Sequence, residues 1–193
     1  MRRLSWVLVL FVACTRAPVD LSVQAPATLH LEPAGHEDAR VVRAIDGDTI
    51  EVEVLGRREG PGAGRAEPGG IYDVRLIGID TPESVSPRDP VECFGPEASD
   101  ATAALLEGAT VRLVRDVEEE DSFGRLLRYV YVGQELANAR LVANGYAKAY
   151  EYPPNVRWSS LLVELEQQAR ERRLGLWSVG TCSGTATPAR RSA

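Results

Sequence analysis

The sequence predicts an α+β fold that is mainly β, with five strands closed into a small barrel and three helices packed against it. The middle of the 193-residue chain is long enough for one well-buried domain and too short for two. Five segments in it show apolar runs or alternate polar and apolar residues, which is typical of strands. A helical pattern follows the third of these segments, and two more follow the fifth. The predicted strands are residues 41–45, 50–55, 72–79, 110–114 and 126–132.

The three predicted helices cover residues 96–107, 135–143 and 156–174. The third carries an apolar stripe at helical spacing, which we interpret as core packing. Five strands with a helix after the third are typical of a barrel of the oligonucleotide-binding type. A glycine follows each helix, as is common where helices end: Gly108, Gly145 and Gly175.

The start of the chain predicts export. Residues 1–13 combine a basic beginning with an apolar stretch that is too short to span a bilayer, as in a signal segment. Cys14 follows directly and resembles the lipidated cysteine of bacterial lipoproteins, which predicts a membrane anchor; the alternative is an ordinary secretory signal with an incidental cysteine. We therefore predict a lipidated tether at residues 14–38, a folded domain at residues 39–180 and a polar tail at residues 181–193.

Two cysteines remain once Cys14 is assigned to the lipid. Outside the reducing cytoplasm an even number predicts a disulfide, here between Cys93 and Cys182. Two free buried thiols are the alternative, and zinc is poorly supported because no histidine lies near either cysteine in sequence.

Two carboxylates predict a site for a hard cation. Asp48 and Asp80 each follow an apolar, strand-like stretch, so both can lie at the ends of neighbouring strands. Thr81 precedes Pro82, which favours an extended backbone and fixes the direction of the Thr81 carbonyl. Carboxylate and carbonyl oxygens are the ligands that calcium prefers. These three residues are therefore the predicted ligands of Ca²⁺.

Three further residues are suited to binding a phosphate group and to its hydrolysis. Glu83, on the same loop as Asp80, could orient an attacking water or take its proton. Arg75 and Arg125 carry planar guanidinium groups that fit phosphate oxygens and oppose charge that grows on phosphorus. Each residue alone is more often a solvated turn, a loop start or a surface ion pair. Together with the cation ligands they predict a metal-dependent nuclease.

Composition excludes several other classes. The formal charge of −6 argues against a broad basic surface for nucleic acid, so binding must depend on a local site. The histidines, His30 and His36, both precede the predicted domain, which leaves histidine-dependent nucleases and hydrolases without a base. We interpret the acidic run at residues 118–121 as a solvated turn that repels substrate. We interpret the glycine-rich stretch at residues 60–70 as a flexible insertion.

Six motifs carry a resemblance to a known family: Ile45-Asp46-Gly47-Asp48-Thr49, residues 75–83, residues 94–99, Phe123-Gly124-Arg125, residues 147–150 and residues 175–178. With these motifs, residues 39–178 resemble the staphylococcal nuclease family. The resemblance implies an oligonucleotide-binding-type barrel that hydrolyses DNA and RNA and leaves 3′-phosphate ends, with Ca²⁺ on Asp48, Asp80 and the Thr81 carbonyl. It assigns Glu83 as candidate base and Arg75 and Arg125 to phosphate. Tyr150 and Tyr152 resemble the tyrosines that line the family's nucleotide pocket, and Phe123 stands where the family has another tyrosine.

We therefore expect a monomeric, calcium-dependent phosphodiesterase with DNA and RNA as substrates. The competing hypothesis is a catalytically silent barrel that binds nucleic acid or a protein partner. Such a module usually lacks one or more of the site residues, and all of them are present here. A third interpretation, Asp46-Gly47-Asp48 as the metal motif of a sugar transferase, lacks a surrounding nucleotide-sugar domain.

Overall fold

The computed structural model describes residues 18–84 and 91–182. The predicted signal segment, Cys14 and nearly all of the predicted polar tail lie outside these residues. Within the described ranges, no helix has the length and apolar character needed to cross a membrane. The strands are β1 (His36–Asp46), β2 (Thr49–Arg58), β3 (Ile71–Leu76), β4 (Ile79–Asp80), β5 (Thr110–Val114), β6 (Leu126–Val132), β7 (Glu135–Leu136) and β8 (Lys148–Ala149), and the helices are α1 (Gly95–Leu106), α2 (Ala137–Ala143) and α3 (Ser159–Glu171).

Five strands close into a barrel, which confirms the predicted fold class. β1 pairs antiparallel with β2 and β5, β2 with β3, and β5 with β6. The barrel closes where β3 runs parallel to β6, with Val74 opposite Leu126. Apolar side chains of these strands point inward and pack against α1, α2 and α3. The largest fully buried apolar side chains include Tyr129, Tyr131, Ile50, Leu76, Ile77, Ile79, Leu106 and Leu113.

The predicted third strand is divided in the structure. β3 ends at Leu76, and β4 begins at Ile79 and pairs with β8 in a separate two-stranded sheet. Gly78 between them has φ +82°, and a Cβ there would lie 2.5 Å from the Leu162 side chain of α3. The glycine thus allows a sharp turn under the helix. As a result, Asp80 is carried on a short strand of its own.

The glycine-rich insertion is packed, which differs from the expected flexible segment. Gly62 donates to the carbonyl of Ala34 at 2.9 Å and accepts from the amide of Arg115 at 2.8 Å. Gly64 lies against the buried side chains of Arg128 and Glu37, where a Cβ would overlap both. Because only glycine leaves room there, the composition reflects close packing over a buried ion pair rather than freedom of the chain.

The segment expected to be a tether is held against the domain from residue 18 onward. The Val23 amide donates to Asn144 Oδ1 at 2.9 Å, and Asn144 Nδ2 donates to the Val23 carbonyl at 2.8 Å. The Asp20 amide donates to the Tyr146 hydroxyl at 2.9 Å. β1 already begins at His36. Several backbone groups of the segment therefore bond to side chains of the domain, although the sequence shows no regular period there.

A disulfide joins Cys93, just before α1, to Cys182 after α3. It closes a loop with a sequence separation of 89 residues. Replacing both cysteines with serine should lower the free energy of unfolding by about 2–5 kcal/mol, because the open chain gains entropy when unfolded. Urea unfolding of the oxidised protein and the double variant measures this difference. Equal midpoints would show that the bridge contributes nothing to stability.

Candidate active site

The predicted cation ligands, Glu83, the two arginines and Phe123 line one cavity beside the closure of the barrel. Gly47-Asp48 forms the two-residue turn between β1 and β2, Arg75 lies on β3, and Asp80 ends β4. The cavity has a volume of about 540 Å³. It is lined by Ile45, Asp46, Asp48, Thr49, Asp73, Arg75, Asp80, Thr81, Glu83, Phe123 and Arg125. Three sequence segments far apart in the chain therefore converge at this cavity.

Asp48 is the most firmly held carboxylate of the site. It is 7% exposed, and its Oδ2 accepts from the amide of Thr81 at 3.1 Å. Its Oδ1 accepts from the hydroxyl of Thr49 at 3.1 Å. Gly47 allows this arrangement, since a Cβ there would lie 2.6 Å from Thr81 Oγ1. The Asp-Gly-Asp turn thus packs directly on the loop that follows Asp80.

Arg75 lies between the two aspartates. Its Nη1 is 3.1 Å from Asp48 Oδ2, and its Nη2 is 3.6 Å from Asp80 Oδ1. Nη1 also donates to the carbonyls of Leu76 and Ile79, at 3.1 and 3.0 Å. The guanidinium group is therefore fixed against the carboxylates and the turn that carries Asp80. It partly balances their charge and lines the cavity at the same time.

The charge of the Asp80 carboxylate is only partly compensated. Burial and the nearby Asp48 raise the pKa of Asp80, and Arg75 and Lys148 only partly oppose this. Thr81 Oγ1 is buried without a hydrogen-bond partner among the described residues. Two carboxylates and a backbone carbonyl form a hard-oxygen donor set that fits a divalent cation. Within residues 18–84 and 91–182, no group of three or more His, Cys, Asp or Glu side chains is arranged to hold a metal ion.

Arg125 lines the cavity from the loop before β6. Its Nε donates to Asp121 Oδ2 at 2.7 Å, and its Nη1 donates to Thr49 Oγ1 at 3.3 Å. The guanidinium carbon lies 5.4 Å from the centre of the Phe123 ring. Phe123 itself is 83% exposed at the rim of the cavity. The arginine is thus oriented by Asp121 and shielded on one side by an aromatic ring.

Glu83 lines the same cavity from the loop after Thr81. Its amide donates to Glu92 Oε2 at 3.2 Å, and the Glu92 amide donates back to the Glu83 carbonyl at 2.8 Å. Gly95 packs against this point, where a Cβ would overlap the Glu83 carbonyl. The backbone at Glu83 is therefore fixed to the start of α1.

Tyr150 and Tyr152 do not line the main cavity. They border a smaller cavity of about 10 Å³ that shares Arg75 with the main one. Both rings are partly exposed, at 48% and 36%. The Tyr150 amide donates to the Gly78 carbonyl at 2.9 Å, at the turn between β3 and β4.

Several residues of the cavity were not among the predicted site residues. Asp73 lies two positions before Arg75 on β3, and Asp46 ends β1, where its Oδ1 accepts from the Ser84 hydroxyl. Strand alternation could have placed Asp73 on the same face as Arg75. Lys148 is not part of the cavity lining, but it lies opposite Asp80 where β4 pairs with β8. Only the structure shows that these two strands pair.

Comparison with known proteins agrees with the fold. The family model described as staphylococcal nuclease homologue matches residues 73–179. The thermonuclease of Staphylococcus hyicus is 37% identical over 148 residues, which cover 77% of this chain and 80% of that protein. The thermonuclease of Staphylococcus intermedius is 39% identical over 141 residues, or 73% of this chain and 76% of that protein. The SPbeta prophage-derived endonuclease YokF of Bacillus subtilis is 34% identical over 143 residues, covering 73% of this chain and 44% of that protein. The chain belongs to the staphylococcal nuclease family.

Proposed function

We propose that the protein is a calcium-dependent nuclease that hydrolyses phosphodiester bonds of DNA and RNA with little sequence preference and leaves 3′-phosphate ends. One observation carries the proposal: carboxylates, guanidinium groups and a glutamate line a single cavity formed by one chain. Relatives that are named thermonuclease or endonuclease support it. We further propose that the protein acts as a monomer, because one chain supplies every residue of the site.

The proposed chemistry divides the site residues into two groups. Asp48, Asp80 and the carbonyl of Thr81 would hold Ca²⁺, which supplies a charge of +2 beside the scissile phosphate and polarises it. Arg75 and Arg125 would bind phosphate oxygens and oppose the charge that develops during attack by water. Glu83 would orient that water or accept its proton as the 5′-oxygen leaves. Phe123, Tyr150 and Tyr152 offer exposed rings on which bases could stack.

The direct test is incubation of the purified domain with single-stranded DNA in the presence of calcium or a chelator. Low salt is the suitable condition, because a protein with a net charge of −6 attracts DNA only through its local site, and salt screens that attraction. Calcium-dependent cleavage to 3′-phosphate ends supports the proposal. DNA binding without calcium-stimulated cleavage would contradict it and favour the competing hypothesis, a catalytically silent module.

Arg125→Ala should lower turnover about a hundredfold and leave calcium binding nearly unchanged. A donor directed at developing charge contributes roughly 3 kcal/mol to the transition state. Glu83→Gln should also slow cleavage, with DNA binding retained. Arg172→Ala, at an exposed position after α3, is the control and should cleave like the wild type. Turnover of Arg125→Ala at the wild-type rate would remove Arg125 from the mechanism.

We also propose that the protein is exported and anchored to a membrane through lipidated Cys14. The Cys93–Cys182 disulfide supports export, since such bonds are rare in the reducing cytoplasm. Cys14→Ser should release the protein from the membrane fraction or block its processing. Intact mass measures the outcome. A mature wild-type protein that starts elsewhere and carries no lipid would contradict the anchor.

A further inference from the structure

The loop before β6 contains a carboxylate that the proposed chemistry does not use. Asp121 Oδ1 accepts from the amides of Phe123 at 2.9 Å and of Arg125 at 3.0 Å. Its Oδ2 accepts from Arg125 Nε at 2.7 Å and lies 2.7 Å from Arg125 Nη2. The Asp121 side chain is 5% exposed, although the sequence suggested a solvated acidic turn. One buried carboxylate thus bonds both to the backbone and to the side chain of Arg125.

The same loop is closed by backbone bonds around this carboxylate. The Asp121 amide donates to the Arg125 carbonyl at 3.0 Å, and the Gly124 amide donates to the Asp121 carbonyl at 3.0 Å. At its base, the Leu127 amide donates to the Glu119 carbonyl at 2.9 Å. The residue that orients the guanidinium group is therefore itself fixed to the barrel.

The contacts leave one edge of Arg125 for the cavity. Nε and Nη2 face Asp121, whereas Nη1 reaches Thr49 Oγ1 at 3.3 Å. The Thr49 hydroxyl in turn bonds to Asp48 at 3.1 Å. Because arginine has a long and flexible side chain, holding one edge of its fork fixes the direction of the other. Through Nη1 and the Thr49 hydroxyl, that edge is linked to Asp48, one of the predicted cation ligands.

We propose that Asp121 is a positioning residue of the nuclease reaction, which holds the Arg125 guanidinium in the orientation that binds the phosphate. The inference rests on the proposed function and deepens it. It reverses the expected role of the acidic run at this position: the charge of Asp121 aids turnover instead of only repelling substrate. A group fixed before the reaction stabilises the transition state without the cost of reorganisation.

Asp121→Asn tests the proposal, because asparagine keeps an oxygen for the loop amides but loses the charge that pairs with the guanidinium. We expect kcat to fall about ten- to a hundredfold, up to the size of the Arg125→Ala effect. Glu120→Gln is the matched control, since it removes the same charge from a neighbouring exposed residue and should keep kcat within about twofold of wild type. If Asp121 acts only by repulsion, both variants should lower KM with kcat unchanged, which would overturn the proposal.

A double-mutant cycle separates positioning from a structural role. In an Arg125→Ala background, Asp121→Asn should cause no further loss of kcat, because the group it holds is gone. Equal losses in both backgrounds would overturn the proposal. Asp121→Ser, which can still accept from the loop amides, repeats the test if Asp121→Asn proves unstable in urea.

A readout without catalysis distinguishes this inference from the proposed function. In nitrogen-15 NMR spectra recorded with chelator, the Arg125 Nε–H should exchange slowly with solvent in the wild type and faster in Asp121→Asn. Cleavage by the wild type with unchanged kcat and exchange in Asp121→Asn would overturn the inference alone. Absence of cleavage by the wild type would overturn the proposed function, and the catalytic role of Asp121 with it.

Discussion

Asp48→Asn should reduce calcium-dependent cleavage at least about a thousandfold while the protein stays folded. The loss corresponds to roughly 4 kcal/mol of transition-state stabilisation, as expected when a bound cation no longer opposes charge on the phosphate. Asparagine has nearly the shape of aspartate and keeps one acceptor oxygen for the Thr81 amide, while the Thr49 hydroxyl can rotate to accept from its Nδ2, so the turn is held. Asp80→Asn should act in the same way. Initial rates on single-stranded DNA over a range of calcium concentrations measure both effects.

Asp73→Asn is the matched control for these variants. Asp73 lines the same cavity and carries the same charge, but it lies outside the predicted ligand set. Its replacement should leave the calcium concentration needed for half-maximal cleavage within about threefold of wild type, since a solvated charge acts weakly. Calorimetry should show calcium binding to Asp73→Asn and none to Asp48→Asn. Equal losses in all three variants would mean that the total charge of the cavity matters and not a defined set of ligands.

The periodic parts of the fold could be predicted from sequence. Residues 110–114 and 126–132 form β5 and β6 with the predicted bounds, because apolar runs between turns leave one interpretation. The turn at Gly78 was missed, since one glycine within an apolar run also fits a continuous strand. The packing of residues 18–38 against the domain could not be predicted, because several of their hydrogen bonds go to side chains far away in the sequence, such as Asn144.

The candidate site, like the fold, could be predicted only in part. Residue types and spacing indicated which groups converge, since a divalent cation and a phosphate need hard oxygens and guanidinium groups. They could not show how the charges pair. The structure places Arg75 against Asp48 and Asp80, and Arg125 against Asp121. Two arginines that look equivalent in sequence thus have different partners, which only the three-dimensional arrangement specifies.

A second large effect is expected at the buried ion pair beneath the glycine-rich insertion. Arg128 donates through Nε and Nη2 to the two carboxylate oxygens of Glu37, at 3.1 and 3.0 Å, and both side chains are 0% exposed. Arg128 also bonds to Glu119, which accepts from the Arg65 amide at 2.8 Å. Burial alone would raise the pKa of Glu119, but this amide and Arg128 outweigh it and lower the pKa. One arginine therefore connects β1, β6, the insertion and the acidic run.

Arg128→Met should lower the free energy of unfolding by about 3–5 kcal/mol, because it leaves the Glu37 carboxylate buried without its partner. Adding Glu37→Leu should recover at least half of this loss, since two apolar side chains need no compensating charge. Arg40→Met is the control: Arg40 pairs with Glu53 at 2.7 Å, but its side chain is 57% exposed. That exposed pair should contribute no more than about 1 kcal/mol. Urea unfolding of the four proteins provides the comparison, and a similar loss in Arg40→Met and Arg128→Met would show that burial does not set the strength of the Glu37–Arg128 pair.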